Sequence, residues 1–348
     1  MARFIKTLKK TALAASIASL ATVANATIVT SIKPLGFIAS SIADGVTDTE
    51  VLVPAGASPH DYSLKPSDIQ KLQGAELILW VGEDIDAFLD KTLRPMPFKK
   101  VLSIADFAEI GGLLEGEAHD HKHEHDHTHK HDHDHKHDHD HKHDHDHKHD
   151  HAHKHEHDHK HDHEHKHDHA HGHEHDHSTN WHVWYSPEIS KIVATRLATR
   201  LTEAYPEKKE KIAQNLAEFN RTLAEQSEKI KQQLAPVKEK GFYVFHDAYS
   251  YFNNAYGLKQ TGYFTINPLV APGAKTLAKI KQEIKEHKVN CLFAEPQFTP
   301  KVIESLSKGT GVHVGCLDPM GDAVKLGVNS YANFLQYTAD SYFACLSK

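Results

Sequence analysis

No folded core can run through residues 119–177, and this divides the rest of the chain. Histidine occupies every odd-numbered position of the stretch, 30 of the 35 in the sequence, with Asp, Glu and Lys filling most places between. So few apolar side chains cannot offset the entropy of ordering, and the tract is expected to be disordered when free. Its 17 acids against 8 lysines give it a net charge of −9. A solvated linker has no need of alternate imidazoles. Neutral imidazole ligates Zn, Cu, Ni and Fe(II), so the tract is read as handling divalent metal. A flexible polymer of ligands makes many interchangeable weak sites, whereas a tight site needs a rigid scaffold. The search for that site falls on the five remaining histidines: His60, His182, His246, His287 and His313.

Residues 1–26 place Arg3, Lys6, Lys9 and Lys10 ahead of a short apolar run from Thr11 to Val23 and end in Ala24-Asn25-Ala26. This is the pattern of a secretory signal peptide cleaved near Ala26, too short for a membrane anchor. A mature chain starting near Thr27 in an oxidising, extracytoplasmic space is expected. Without leader and tract, 263 residues of net charge −2 remain. That is enough for two ordinary domains or one large one, and it offers no basic field for nucleic acid.

From Thr27 to about Gly112 the near-continuous apolar runs TIVTSIKP, TEVLVPAG, ELILWVGE and VLSIADF alternate with the helical patterns PLGFIASSIADG, PSDIQKLQGA (capped by Ser67) and IDAFLDKTL. Such alternation predicts a parallel α/β sheet covered on both faces. After the tract, Ser186-Pro187-Glu188 supplies a cap, a first-turn proline and a first-turn acid for a helix. Ile212, Leu216, Phe219, Leu223, Ile230 and Leu234 then hold one apolar stripe along a second helix of roughly 40 Å, long enough to cross between two lobes. A second α/β pattern begins at GFYVFHD. Its further strands are NCLFAEP and GVHVGCLDP, and its helices APGAKTLAKIKQEIKEHKV, TPKVIESLSKG and SYANFLQYTADSYFACLSK. The reading is a signal peptide (1–26), an N-terminal α/β lobe (27–118), the His-rich tract (119–177), a linker with long bridging helices (178–240) and a C-terminal α/β lobe (241–348). Two parallel-sheet lobes joined by a long bridging helix, with a disordered His-rich insertion, leave a cleft between them.

Open α/β sheets bind ligands beyond the carboxyl ends of their strands. His60 lies past TEVLVPAG, His246 ends FYVF, Asp318 ends VHVGCLD, and His182 precedes a helix. Three neutral imidazoles with a carboxylate or water form a tetrahedral Zn(II) set. No HExxH or CxxC spacing supports this set, and each histidine taken singly could equally cap a loop. Placement at strand ends is the stronger signal. His287, in the charged stretch KEHKVN, is expected to face solvent. His313, alternating with Val312 and Val314, is expected to be structural, and Asp247 could cap a helix. Glu295, ending a strand in FAEPQF, could accept from an imidazole and fix its tautomer. A zinc hydrolase would need it as a general base, but no nucleophile motif accompanies it. Zinc storage by the tract on an inert body leaves the strand-end histidines unexplained.

Five stretches, GASPHDYSLKPSD around His60, NWHVWYSP around His182, FHDAYSYF around His246, FAEPQFTP around Glu295 and LDPMGD around Asp318, together resemble one family. It is the zinc-binding periplasmic component of high-affinity zinc ABC importers, within the metal-binding substrate-binding proteins. The resemblance spans the mature chain, insertion included. It implies two (β/α)4-like lobes bridged by a long helix, with Zn(II) bound between them and delivered to a cognate ABC membrane permease. A periplasmic monomer without enzymatic activity is expected. Carried over, the ligands are His60, His182 and His246, with Asp318 or a water as the fourth and Glu295 behind them. Manganese-binding members tend to carry Glu where this chain has His246, which favours zinc. Zinc members often have an acid directly before the first histidine; here it is Pro59, which leaves the fourth place to Asp318 or solvent. The resemblance also implies a Cys291–Cys345 disulfide, with Cys316 left over and expected to be buried beside its strand.

Overall fold

The computed structural model describes residues 27–116, 179–298 and 301–348. The leader and the His-rich tract lie outside the described residues. The first lobe is built from β1 (Thr27–Thr30), α1 (Lys33–Ile42), β2 (Asp48–Val51), α2 (Pro66–Gly74), β3 (Leu77–Trp80), α3 (Asp90–Leu93) and β4 (Val101–Ser103). Its four strands are all parallel, in the order β2-β1-β3-β4. The apolar run LILW of β3 is buried at all four positions, as a central strand between helical layers requires. Two short antiparallel strands, β5 (Glu115–Gly116) and β6 (Thr179–Asn180), bring the chain on either side of the tract together.

The bridge consists of α4 (Pro187–Ala204) and α5 (Lys209–Leu234). Ser186 caps α4 as its sequence implies, its Oγ accepting from the Ile189 N–H at 3.2 Å. The 26 residues of α5 span roughly 39 Å at 1.5 Å per residue. Ile212, Phe219, Leu223, Ile230 and Leu234 form its buried stripe. Along that length α5 touches α1 of the first lobe and two helices of the second, α6 (Ser250–Tyr256) and α9 (Ser330–Leu346). The Asn215 amide fastens one end, donating to the carbonyls of Ile42 and Asp44 at 2.9 and 2.8 Å.

The second lobe adds β7 (Phe242–His246), β8 (Gly262–Thr265), α7 (Ala274–Lys285), β9 (Cys291–Ala294), α8 (Lys301–Ser307) and β10 (His313–Cys316). Its parallel order is β10-β9-β7-β8. Counted from each lobe's own first strand, both sheets run 2-1-3-4. The two-lobed α/β expectation therefore holds.

Several local expectations do not hold. Strand β8 was not anticipated, because GYFT is a short edge strand, only half buried at Gly262 and Tyr263. Helix α2 begins at Pro66 with Lys65 as its cap, not at Ser67; the Asp68 carboxylate accepts the Lys65 N–H at 2.9 Å, and Pro suits the first helical position. IDAFLDKTL breaks into a 3-10 turn (Ala87–Leu89) and the single turn α3, with Pro95 just beyond. Cys316 is exposed, not buried, and so is His313, because β10 is an edge strand bonded only to β9.

Cys291, at the start of β9, and Cys345, near the end of α9, form a disulfide 54 residues apart in sequence. In the chain-entropy description a loop of that length is worth about 4 kcal/mol. Reduction, or Cys345→Ser, should lower the melting temperature by roughly 10 °C. An unchanged calorimetric transition would show that the bond constrains little.

Candidate metal centre

His246 is the last residue of β7, whose five positions are all buried. His182 is the residue before a 3-10 turn (Val183–Tyr185) and is 7% exposed. His60 lies in the loop between β2 and α2. The three rings, drawn from the two lobes and the bridge, meet at one point. Ring centroids are 5.6 Å apart for His60–His182 and for His60–His246, and 5.1 Å for His182–His246. One donor nitrogen from each lies within 4.8 Å of the other two, and among the described residues this is the group that could hold a metal ion.

The tautomers follow from the partners. Nδ1 of His246 faces both oxygens of the Glu295 carboxylate, at 2.7 and 2.9 Å. A carboxylate accepts only, so Nδ1 carries a proton, and Nε2 is the nitrogen left for a metal in the neutral ring. Nδ1 of His182 lies 2.7 Å from Asn180 Oδ1, which also accepts the backbone N–H of His182 at 3.1 Å. That amide cannot be reversed, because its Nδ2 donates to the Asp247 carbonyl at 2.9 Å. Nε2 of His182 is therefore also a bare acceptor. The two Nε2 atoms face each other at 3.2 Å. In the neutral rings both nitrogens present lone pairs, and a cation between them would draw on both. Two nitrogens bound at 2.0–2.1 Å to a tetrahedral zinc are separated by about 3.3 Å.

Electrostatics favour the same state. Burial, and then the nearby His246, push the His60 pKa down to about 3. Burial, followed by His246 and His60, holds His182 well below the usual imidazole range. Both stay neutral, as ligation requires.

Asp318 is not part of the three-histidine group. Its Oδ1 accepts from Gln297 Nε2 at 2.8 Å and from the Met320 N–H at 3.0 Å, and its Oδ2 accepts from the Asp322 N–H at 2.7 Å. Asp322 in turn reaches across to the His60 loop, its carboxylate accepting the Gly56 N–H at 2.6 Å while its carbonyl accepts from Lys33 Nζ at 2.7 Å. Glu295, 2% exposed, lies where sequence reasoning placed it, and it also accepts from the Tyr249 hydroxyl at 2.9 Å. Asn180 was missed. The signal for it is an Asn two residues before a candidate ligand, a spacing from which its side chain can accept that residue's N–H. His287 is exposed at the end of α7.

Two α/β lobes that close three imidazoles around a point between them define a metal-binding substrate-binding protein. The family model for ZnuA, described as zinc-uptake complex component A periplasmic, matches residues 28–345, and the chain belongs to this family. The high-affinity zinc uptake system protein ZnuA of Haemophilus influenzae is 68% identical over 343 residues, covering 99% of each chain. That of Yersinia pestis is 43% identical over 324 residues, covering 93% of this chain and 92% of its own. Among solved structures, the periplasmic zinc binding protein TroA from Treponema pallidum superposes with a TM-score of 0.65, covering 93% of this chain and 100% of its own at 17% identity, a likeness of fold.

Proposed function

We propose that this protein captures Zn(II) between its lobes, with His60, His182 and His246 as ligands through Nε2 and with Asp318 or a water in the fourth place, and delivers it to a membrane ABC permease. The observation that carries this reading is the convergence of His60, His182 and His246, with one ring nitrogen from each within 4.8 Å of the other two. Glu295 and Asn180 would fix the ring orientations, a support whose loss typically costs ten- to a hundredfold in metal affinity. The protein would act as a periplasmic monomer after removal of residues 1–26, with the leader serving export alone.

The alternative of a zinc hydrolase finds less support. Its candidate base, Glu295, is occupied by the His246 ring and the Tyr249 hydroxyl, and a general base needs a free path to a metal-bound water. The tract would add weaker sites without supplying the tight one. Deleting residues 119–177 and titrating with zinc against a competing chelator should therefore leave one tight equivalent per chain. Loss of that event would overturn the assignment of the cleft.

A further inference from the structure

We infer that the fourth ligand of the captured ion is a water held by the side-chain oxygen of Gln297, and that Asp318 acts by orienting that amide instead of binding the metal. The inference deepens the zinc-capture reading and rests on it. The cavity enclosed by the three histidines is also lined by Gln297, and most of its remaining wall is apolar: Pro59, Trp184, Phe298, Pro319 and Met320. It has a volume of about 10 Å³, close to the smallest that admits a single water.

The orientation of the Gln297 amide is set by charge. Its Nε2 points at Asp318 Oδ1 (2.8 Å) and, more distantly, at Asp322 Oδ2 (3.5 Å). Reversing the amide would set a carbonyl oxygen against those carboxylates, with no proton to share. Oε1 is thus the atom turned away from them. It is buried, and it has no hydrogen-bond partner among the described residues. Such groups are uncommon in native proteins because an unpaired buried acceptor is costly.

The other polar side chains of the wall are already engaged, Ser58 Oγ by the His60 N–H at 3.3 Å. Glu295 accepts from His246 and Tyr249. The Asp318 carboxylate accepts from three N–H groups that shape the loop after β10, two of them from that loop's own backbone. Moving its carboxylate onto the ion would break the Met320 and Asp322 bonds and release the Gln297 amide. A zinc ion held by three imidazoles keeps one tetrahedral position, and water bound there is a strong donor because the metal draws off its electron density. Gln297 Oε1 is the acceptor in the wall with nothing else to accept. The resulting set is three neutral nitrogens and an exchangeable water. No protein carboxylate then has to leave when the ion is released.

The test uses the full chain without its leader. A zinc-loaded crystal structure phased at the zinc edge should show a water oxygen on the metal within hydrogen-bonding distance of Gln297 Oε1. Gln297→Met should weaken zinc about tenfold in chelator competition. In the Co(II)-loaded variant, thiocyanate should displace the unanchored water at several-fold lower concentration, read in the visible absorption, a shift that a purely structural defect would not produce. The inference is overturned by an Asp318 carboxylate on the zinc, by a bound water that ignores Gln297, or by unchanged zinc affinity and thiocyanate displacement in the variant. If the wild-type chain binds no zinc tightly, the capture reading falls as well. Tight wild-type binding with a silent Gln297→Met sinks this inference alone.

Discussion

His246→Ala should weaken zinc binding by at least about a hundredfold, while His287→Ala should leave it unchanged. Structural zinc sites provide roughly 10–16 kcal/mol from three or four protein ligands, so one ligand accounts for about 3 kcal/mol or more, and each 1.4 kcal/mol is a factor of ten. His246 is 2% exposed, at the end of a fully buried strand, with its far nitrogen fixed by Glu295. Its position is set before any ion arrives, so little binding energy is spent on ordering it. His287 is exposed, with a left-handed φ of 56° where α7 ends, and is not among the described residues that form the three-histidine group. Removing His246 also leaves the Glu295 carboxylate buried without its imidazole, so the variant's melting temperature must be recorded beside its affinity. Chelator competition at neutral pH is the deciding measurement. Equal affinities for the two variants would mean that the ligand set is misassigned.

Much of this site was legible in the sequence, because the general rule that ligands gather at the carboxyl ends of parallel strands needs only the strand pattern. His246 ends FYVFH, and Glu295 directly follows CLFA; both are where that rule puts them. Asp318 satisfies the same rule, yet the chain turns immediately after it. The Met320 and Asp322 N–H groups then claim its carboxylate. An Asp followed by Pro-Met-Gly is itself a turn signature, and strand-end reasoning alone overlooks that competition. Gln297 was not legible at all, and the spacing of Asn180 from His182 gave only its contact with the backbone N–H, not its hold on the ring. Each acts through an amide whose direction is decided by partners far along the chain, Asp247 for one and Asp318 for the other. Cys316 was misjudged because a run such as VHVGC does not reveal whether its strand is central or at an edge, and here it is at an edge.

Acidification from pH 7 to 5 should cost the cleft far less affinity than its ligand chemistry suggests. An imidazole of ordinary pKa is only about 3% neutral at pH 5, so each such ligand would lower apparent affinity roughly thirtyfold, and two of them about a thousandfold. His60 and His182 escape this, because burial penalises their charged forms and moves His60 to about 3 and His182 well below the usual range. The same shifts carry a cost in the metal-free protein. Their folded values lie below the unfolded value near 6.5, so the unfolded chain binds the additional protons first. The stability involved is present above pH 6.5 and is lost as pH falls toward the folded pKa, by up to about 1.4 kcal/mol per pH unit for each histidine. Asp86 opposes one of them. It is fully buried and accepts from Ser31 Oγ and the Val81 N–H, both at 2.8 Å, and burial lifts its pKa to about 7. The folded chain therefore takes up that proton first, and its contribution grows as pH falls. The net expectation for the metal-free protein is a loss of at most about 1.4 kcal/mol per unit below pH 6.5. Zinc beyond one equivalent, held on ordinary imidazoles of the tract, should be released below about pH 6. Competition titrations at pH 7, 6 and 5, run with and without residues 119–177, separate the two populations. A thousandfold loss in the tract-deleted protein would show that the cleft histidines titrate like free ones, and the burial argument would fail with them.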